Sequence, residues 1–391
     1  MNELAAILAL AQQTNPEPLA LATVVNVSGS AYRRPGARML ISSSGSTAGM
    51  ISGGCLEGDV KERAMRVIET GHSLLVTYDS TSNEDIIFGL GLGCNGVVQV
   101  MIEPLSHDDA DGLLALLTAC HRERKSGRIA TVFAVRAGKG DTCSDCTHSA
   151  CECDSAITSF KTIDRTLCWP DGRVTSTILR PALRSALDAS LTEHAKRRVK
   201  TGTSSLPGGD EASWLIETIV PPPSLFIFGA GDDAIPVATI AQQLGWRVTI
   251  TDARPAFANR TRFPHVDVVQ CQRAETFDAS QLDGSPVIVM THSYEQDKAW
   301  LRVLLPSSAC HLSQIGPKAR TNRLLDELRA DGLTLTDAQL AKLRAPAGLD
   351  IGAEAPAEVA LSLISGVQAA LARHAGGFLS ERDGPIHEPV A

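Results

Sequence analysis

The stretch LFIFGAGDDA, residues 225–234, decides the fold of the second half of the chain. Its four apolar residues predict a buried strand. Gly229 and Gly231 then occupy the first two glycine positions of a G-x-G-x-x-G/A turn, with Ala234 at the third. Such a turn lets a pyrophosphate approach the N-terminus of the following helix. Asp252 ends the next predicted strand, at the spacing where an acidic residue binds ribose hydroxyls. The pattern predicts a Rossmann-type domain and makes NAD(P) or another nucleotide a candidate ligand.

Strand and helix patterns keep alternating towards the C-terminus, which predicts a doubly wound parallel sheet. His292 follows a central strand at the carboxyl edge, where ligands of such sheets collect, and it either faces a ligand or caps the strand end. Asp232 and Asp233 would repel a pyrophosphate unless they point away or bind a cation. A Rossmann fold whose ligand is lost or altered is therefore the alternative.

Length and composition restrict the class of protein. The chain has 391 residues, 43% of them hydrophobic, and a formal net charge of −8, which disfavours nucleic acid as a partner. Its sequence contains neither an apolar run that could span a membrane nor a recognisable signal peptide. We therefore expect a cytoplasmic protein without a membrane partner, in which the ten cysteines are thiols, ligands or catalytic groups.

Changes in composition along the chain predict the domain organisation. Residues 1–136 form a mixed α+β domain, and 137–160 are a cysteine-rich insertion. The remaining strands of the first domain and a linker occupy 161–220, and the Rossmann-like domain occupies 221–391. The boundary is the triple proline at 221–223, which cannot continue a sheet.

A cysteine in the first domain stands out by its neighbours. In ISGGCLEGDV, residues 51–60, Cys55 follows Gly53 and Gly54 and precedes a predicted helix. Backbone N–H groups of the glycines and the helix N-terminus would stabilise a thiolate there. Cys55 is therefore a nucleophile or a ligand for an anionic group, or else a packing residue. Cys94 lies in a second glycine-rich loop and has the same alternatives.

The segment CSDCTHSACEC, residues 143–153, contains enough thiolate and imidazole groups for tetrahedral zinc. The main alternative is a flexible insertion without a metal. The candidate ligands are Cys143, Cys146, Cys151 and Cys153, with His148 beside them.

Several segments in order along the chain resemble the XdhC family, the accessory proteins of xanthine dehydrogenase and related molybdenum hydroxylases. In the first half these are GSAYRRPGARMLI, GMISGGCLEGDV and GLGLGCNGVVQVMIEP. In the second half they are PPPSLFIFGAGDDAIPVA, VTITDARPAFANRTRFP, VIVMTHSYEQDKAWL and LRAPAGLDIGAEAPAEVALSLI. The resemblance leaves out residues 137–215, and the cysteine cluster departs from the family pattern.

The resemblance implies a chaperone that binds molybdenum cofactor transiently. Such a protein stabilises the cofactor, presents it to a cysteine desulfurase for sulfuration and delivers it to the apo form of a xanthine dehydrogenase-type hydroxylase. The family's motif cysteines fall on Cys55 and Cys94. Residue chemistry agrees, since Arg33, Arg34 and Arg38 could pair with the anionic cofactor.

Two other classes of function remain open. An NAD(P)-dependent oxidoreductase would use the Rossmann domain, with His292 as its only candidate proton donor. A zinc- or sulfur-handling protein would use the cysteine cluster. The leading interpretation is a non-catalytic chaperone without assigned catalytic residues, and we expect it to be a homodimer.

Overall fold

The computed structural model describes residues 3–80, 96–136, 157–160, 163–193, 198–207 and 209–383. The chain divides into two compact units; the first begins at Glu3 and ends at Pro221, and the second begins at Pro222. None of the helices in these described ranges is both long and apolar enough to cross a membrane.

The first unit contains antiparallel sheets and helices. Its helices are α1 (Glu3–Gln13), α2 (Glu57–Thr70), α3 (Leu113–Glu123) and α4 (Pro181–Glu193). Its strands are β1 (Leu19–Gly29), β2 (Arg38–Ser42), β3 (Thr47–Gly49), β4 (Ser73–Asp79), β5 (Gly96–Leu105), β6 (Gly127–Arg136), β7 (Ile157–Phe160), β8 (Arg165–Cys168), β9 (Val174–Ser176), β10 (Val199–Ser205) and β11 (Glu211–Ile219). They form one sheet of order β3-β2-β1-β5-β4-β7 and a second of order β10-β11-β6-β8-β9.

Strand β1 is apolar along most of its length because both faces of its sheet are covered. Successive side chains of a strand point to opposite faces. Leu19 and Leu21 accordingly pack with α1 and α3, whereas Ala20 and Ala22 pack with α2. Helix α2, which follows the Cys55 segment, is thereby anchored on the central strands.

Helix α4 differs from the sequence-based expectation of strands over residues 161–220. Leu183, Leu187 and Leu191 recur every fourth residue and are buried against the second sheet. This spacing places the three leucines on one face of a helix, which explains why the segment is helical.

The second unit is a parallel sheet with helices on both faces. Its strands are β12 (Ser224–Phe228), β13 (Arg247–Asp252), β14 (Val268–Cys271), β15 (Pro286–Val289), β16 (His311–Gln314) and β17 (Leu343–Arg344). Its helices are α5 (Ala234–Gln243), α6 (Tyr294–Leu304), α7 (Lys318–Ala330), α8 (Asp337–Ala341) and α9 (Pro356–Ala372). The strand order β14-β13-β12-β15-β16-β17 is the 3-2-1-4-5-6 order of a Rossmann sheet.

The alternation along β12 explains the two helical layers. Leu225 and Ile227 face α5 and α9, and Phe226 and Phe228 face α6 and α7. The predicted fold class, a mixed α+β unit followed by a Rossmann-like unit, is therefore confirmed.

Candidate functional site

Cys55 lies in the connection between β3 and α2, two residues before the helix begins. Its side chain is exposed to solvent. The preceding Gly54 has φ +112°, and no atom of the described residues outside its chain neighbours lies within 4 Å of the position that a Cβ would take there. Neighbouring side chains therefore do not support the turn at Gly54, and hydrogen bonds must hold it.

Those hydrogen bonds come from Ser52 and Glu57. The Glu57 carboxylate accepts from the backbone N–H groups of Ser52 at 2.8 Å and Ile51 at 3.3 Å, and from the Ser52 hydroxyl. The Ser52 Oγ in turn accepts from the N–H groups of Gly54 and Leu56, both at 3.1 Å. Burial opposes ionisation of Glu57, but the hydrogen bonds from Ser52 outweigh it and hold the pKa of Glu57 below its usual value.

These bonds decide which backbone donors near Cys55 are left for a ligand. The N–H of Gly54 is used by Ser52, whereas those of Gly53 and Cys55 have no hydrogen-bond partner within the described part of the chain. One of the two glycine donors named from the sequence is therefore open and the other is occupied.

A small pocket lies beside the thiol. Tyr32, Arg33, Cys55, Leu56 and Tyr78 are among the residues that line it. It has a volume of about 30 Å³ and opens to solvent. A group the size of a water molecule fits inside, and a larger ligand would have to lie across the mouth.

The three candidate arginines differ in their availability for an anion. Arg33, in the pocket wall, pairs with Glu3, and Arg38 forms a buried pair with Glu217. Arg34 forms no ion pair with any residue in the described ranges, and its Nε is buried without a partner. Of the three, Arg34 is the one whose charge is not already compensated by a described carboxylate.

Cys94 and the cluster of Cys143, Cys146, Cys151 and Cys153 lie outside the described residues. Within the described ranges, no group of three or more His, Cys, Asp or Glu side chains could hold a metal ion. The zinc site therefore stays a prediction.

In the second unit, the glycine turn lies between β12 and α5, against the end of β15. Gly229 has φ +118°, and a Cβ there would overlap the Met290 carbonyl oxygen and lie 2.8 Å from the backbone nitrogen of Thr291. A Cβ on Gly231 would lie 2.5 Å from a carboxylate oxygen of Asp233. Close approach of backbone atoms therefore requires glycine at 229, whereas at 231 a movement of the Asp233 side chain would make room for a Cβ.

Asp252 ends β13, and its side chain is fully buried. Its carboxylate accepts from the N–H of Ala230 at 2.9 Å, from the N–H and Nε of Arg254 at 2.9 Å, and from an Nη of Arg254 at 2.8 Å. Burial opposes ionisation, but the bonds from Arg254 and Ala230 outweigh it and lower the pKa of Asp252. A ribose hydroxyl would have to compete with these four donors.

The two other acidic residues of the turn are also paired. Asp232 lies 2.7 Å from Arg262, and Oδ2 of Asp233 lies 2.6 Å from Nε2 of His292. His292 has φ +57°, a conformation that is uncommon outside glycine and is found at functional sites. Both carboxylates therefore have cationic or imidazole partners, and an incoming diphosphate would meet these pairs instead of bare N–H groups.

A buried polar network continues from the same edge of the sheet. Asp297 accepts from the Thr291 hydroxyl at 2.5 Å, from Gln314 at 2.9 Å and from Arg320 at 2.7 Å. Its exposed fraction is 1%. Local sequence patterns do not indicate Gln314 and Arg320, because their role depends on β16 lying beside β15 in space. A signal in the sequence is that β16 reads HLSQ, so that a predicted strand contains several polar residues.

The fold and these sites define a two-unit protein. An antiparallel α+β unit carries an exposed loop cysteine, and a Rossmann-like unit follows, in which the acidic side chains of the glycine turn are paired with Arg262 and His292.

Two family models match the chain: one described as the XdhC and CoxI family over residues 12–79, and one described as the XdhC Rossmann domain over residues 225–367. A Bacillus subtilis (strain 168) protein, described as a probable xanthine dehydrogenase subunit, is 30% identical over 364 residues, which span 89% of this chain and 92% of that protein. The chain belongs to the XdhC family.

Two further similarities extend this result. An Escherichia coli (strain K12) protein named "Uncharacterized protein YqeB" is 28% identical over 168 residues, which are 42% of this chain and 30% of that protein. A crystal structure from Bacillus halodurans, described as a xanthine dehydrogenase, has a TM-score of 0.71 and 24% identity, with 98% of each chain covered. This last similarity supports the fold.

Proposed function

We propose that this protein binds molybdenum cofactor through the Cys55 turn, protects it and delivers it to a xanthine dehydrogenase-type hydroxylase. Membership in the XdhC family indicates an accessory role for xanthine dehydrogenase. The observation that carries the finer proposal is the exposed Cys55 thiol at the mouth of a pocket, on a turn with open N–H donors at Gly53 and Cys55.

The chemistry of these groups fits an anionic cofactor with a soft metal centre. A thiolate is a soft ligand, and N–H groups next to the N-terminus of α2 suit a negatively charged group. Because only about 30 Å³ lies inside the pocket, the pterin part would rest across its mouth, where the thiol is accessible. Arg34 follows the pocket-lining residues Tyr32 and Arg33 in the chain without lining the pocket itself, and because no described carboxylate neutralises it, we assign charge compensation to it.

The proposal includes two partners. A cysteine desulfurase would supply sulfur to the bound cofactor, and the apo-hydroxylase would receive it. No residue of this chain is assigned a catalytic step, since the chain's role is to hold and orient the cofactor.

The test is binding of the cofactor, released from a molybdenum enzyme and kept under anaerobic conditions. Wild-type protein is compared with Cys55→Ala and with Cys271→Ala, which removes another exposed thiol, located in the second unit. We expect wild type and C271A to bind with equal affinity, measured by pterin absorbance after gel filtration, and C55A to lose at least tenfold in affinity. Equal binding by C55A and wild type would overturn the assignment.

A further inference from the structure

The Ser52–Glu57 pair holds the Cys55 turn from the inside. Ser52 is 4% exposed, and it is the only side chain that accepts from both Gly54 and Leu56 within the described residues. Glu57 binds back onto the N–H of Ser52 and of Ile51 and onto the Ser52 hydroxyl. Residues 51–57 are thus closed into a small hydrogen-bonded ring with Cys55 on its outer side.

Packing does not replace these bonds. Among the described residues, no atom outside its chain neighbours lies within 4 Å of the Cβ position of Gly54, and helix α2 begins without a side-chain cap at Leu56. Glu57 therefore does not act as an ordinary first-turn carboxylate that merely complements the helix dipole. Its oxygens accept N–H and O–H donors of the turn that precedes the helix.

We propose that Ser52 and Glu57 are positioning residues that set the orientation of the Cys55 thiol and keep the Gly53 and Cys55 N–H groups open for a ligand. The proposal rests on the function proposed above only for its ligand, since the position of the thiol can be measured without any cofactor. Loss of Ser52 frees the N–H groups of Gly54 and Leu56, which can then stabilise a Cys55 thiolate, and it also loosens the turn. Both changes increase the reactivity of the thiol.

The first measurement is the rate of alkylation of Cys55 by iodoacetamide in the full-length protein, followed by peptide mass spectrometry. Cys271 and Cys310 are also exposed and serve as internal standards in the same molecules. We expect Ser52→Ala to alkylate Cys55 at least fivefold faster, with the two standards unchanged, and Ser52→Thr, which keeps the hydroxyl, to restore the wild-type rate. A Cys55 rate within twofold of wild type in S52A, or no rescue in S52T, would overturn the proposal.

Glu57→Gln provides a second route should S52A fail to fold. Its amide can still accept from Ser52 N–H, but its Nε2 cannot accept the Ser52 hydroxyl. We expect a two- to threefold faster alkylation of Cys55 in E57Q. An unchanged rate in a folded E57Q protein, judged by circular dichroism, would exclude Glu57 from the positioning role.

The second measurement is a double-mutant cycle on cofactor affinity. If Ser52 acts through Cys55, S52A weakens binding about tenfold alone but has no additional effect in the C55A background. If the losses of affinity in S52A and C55A instead multiply in the double variant, Ser52 has a structural role that is independent of Cys55, and the proposal is contradicted. Failure of wild-type protein to bind the cofactor would defeat the proposed function alone, because the alkylation rates would still decide whether Ser52 and Glu57 position the thiol.

Discussion

The carboxylate of Asp252 accepts a hydrogen bond from the backbone N–H of Ala230 at 2.9 Å, which ties the end of β13 to the glycine turn after β12. The same carboxylate is held by Arg254, whose guanidinium also stacks 3.9 Å from the centre of the Phe257 ring. In this protein the acidic residue at the ribose-binding position of a Rossmann fold thus has a structural task within the unit.

Asp252→Asn is expected to destabilise the second unit. An asparagine side chain has one acceptor oxygen and presents N–H groups where donors from Ala230 and Arg254 already point. We expect a loss of about 2–4 kcal/mol in the free energy of unfolding, measured by urea denaturation. A loss below about 0.5 kcal/mol would contradict the assigned role.

The same residue predicts a pH dependence. Because its pKa is lower in the folded chain than in the unfolded one, its contribution to stability is complete above about pH 4. That contribution is lost as the pH falls through the folded-state value. The difference in unfolding free energy between wild type and D252N is therefore expected to shrink below about pH 4, and a constant difference would argue against an ionised Asp252.

Local patterns predicted the fold of the second unit well, whereas contacts between distant residues could not be predicted. The apolar strand at 225–228 and the glycines after it are consecutive in the sequence and decide the local chain path. The partners of Asp232 and Asp233 are Arg262 and His292, at separations of 30 and 59 residues, and no local pattern indicates them. The hydrogen-bonded ring of residues 51–57 is local in the sequence, but its pattern of bonds depends on the conformation of Gly54.

Gly229→Ala is expected to be strongly destabilising. The new Cβ would overlap the carbonyl oxygen of Met290, and the backbone has φ +118°. Overlap and backbone strain together should cost roughly 3 kcal/mol or more in unfolding free energy. Gly284→Ala is the control, because Gly284 has φ +71° and no described atom within 4 Å of a Cβ, so that only the backbone cost of about 1–2 kcal/mol applies. If both variants lose the same unfolding free energy, the close approach of Gly229 to the backbone at the end of β15 is unimportant for stability.

Glu103→Gln is expected to break a buried ion pair in the first unit. Arg165 binds both carboxylate oxygens of Glu103, at 2.8 and 2.9 Å, and the two side chains are 12% and 6% exposed. Removing the charge of Glu103 takes away the directly paired carboxylate of the buried guanidinium and leaves it the weaker electrostatic interactions with Glu217 and Asp109, which should cost about 3 kcal/mol. Asp111→Asn breaks the exposed pair with Arg173 and should cost at most about 1 kcal/mol. Thermal unfolding of E103Q and D111N measures both losses of stability. Similar melting temperatures of the two variants would contradict the prediction that the buried pair contributes more.

His311 is expected to make the second unit less stable in mild acid. Burial, together with the charge of Arg344, lowers the pKa of His311 to about 4, and its Nε2 lies 2.8 Å from the Ser313 hydroxyl. The unfolded chain takes up a proton near pH 6.5 while the folded chain does not, so stability falls as the pH drops from about 6.5 towards 4. Relative to His311→Gln, wild-type protein should lose up to about 1.4 kcal/mol per pH unit in this interval. If the curves of unfolding free energy against pH for wild type and H311Q run parallel, the prediction is contradicted.

Tyr32 is expected to contribute a stacking surface for the pterin of the proposed cofactor. The residue is 64% exposed and lines the pocket beside Cys55, and its ring lies 3.7 Å from the Cβ position of Gly53. An exposed aromatic ring held against a glycine backbone presents its other side to a planar heterocycle, and stacking of this kind is worth about 1–3 kcal/mol per base in nucleic-acid complexes.

Tyr32→Ala should therefore weaken cofactor binding about 10- to 100-fold, and Tyr32→Phe should bind like wild type. Phe378→Ala, which removes an exposed ring in the second unit, is the matched control and should leave the affinity unchanged. If Y32F loses as much affinity as Y32A, the hydroxyl and not the ring makes the contact. If Y32A binds as tightly as wild type, the pterin does not stack on this ring, and Cys55 would have to contact the cofactor from another side of the turn.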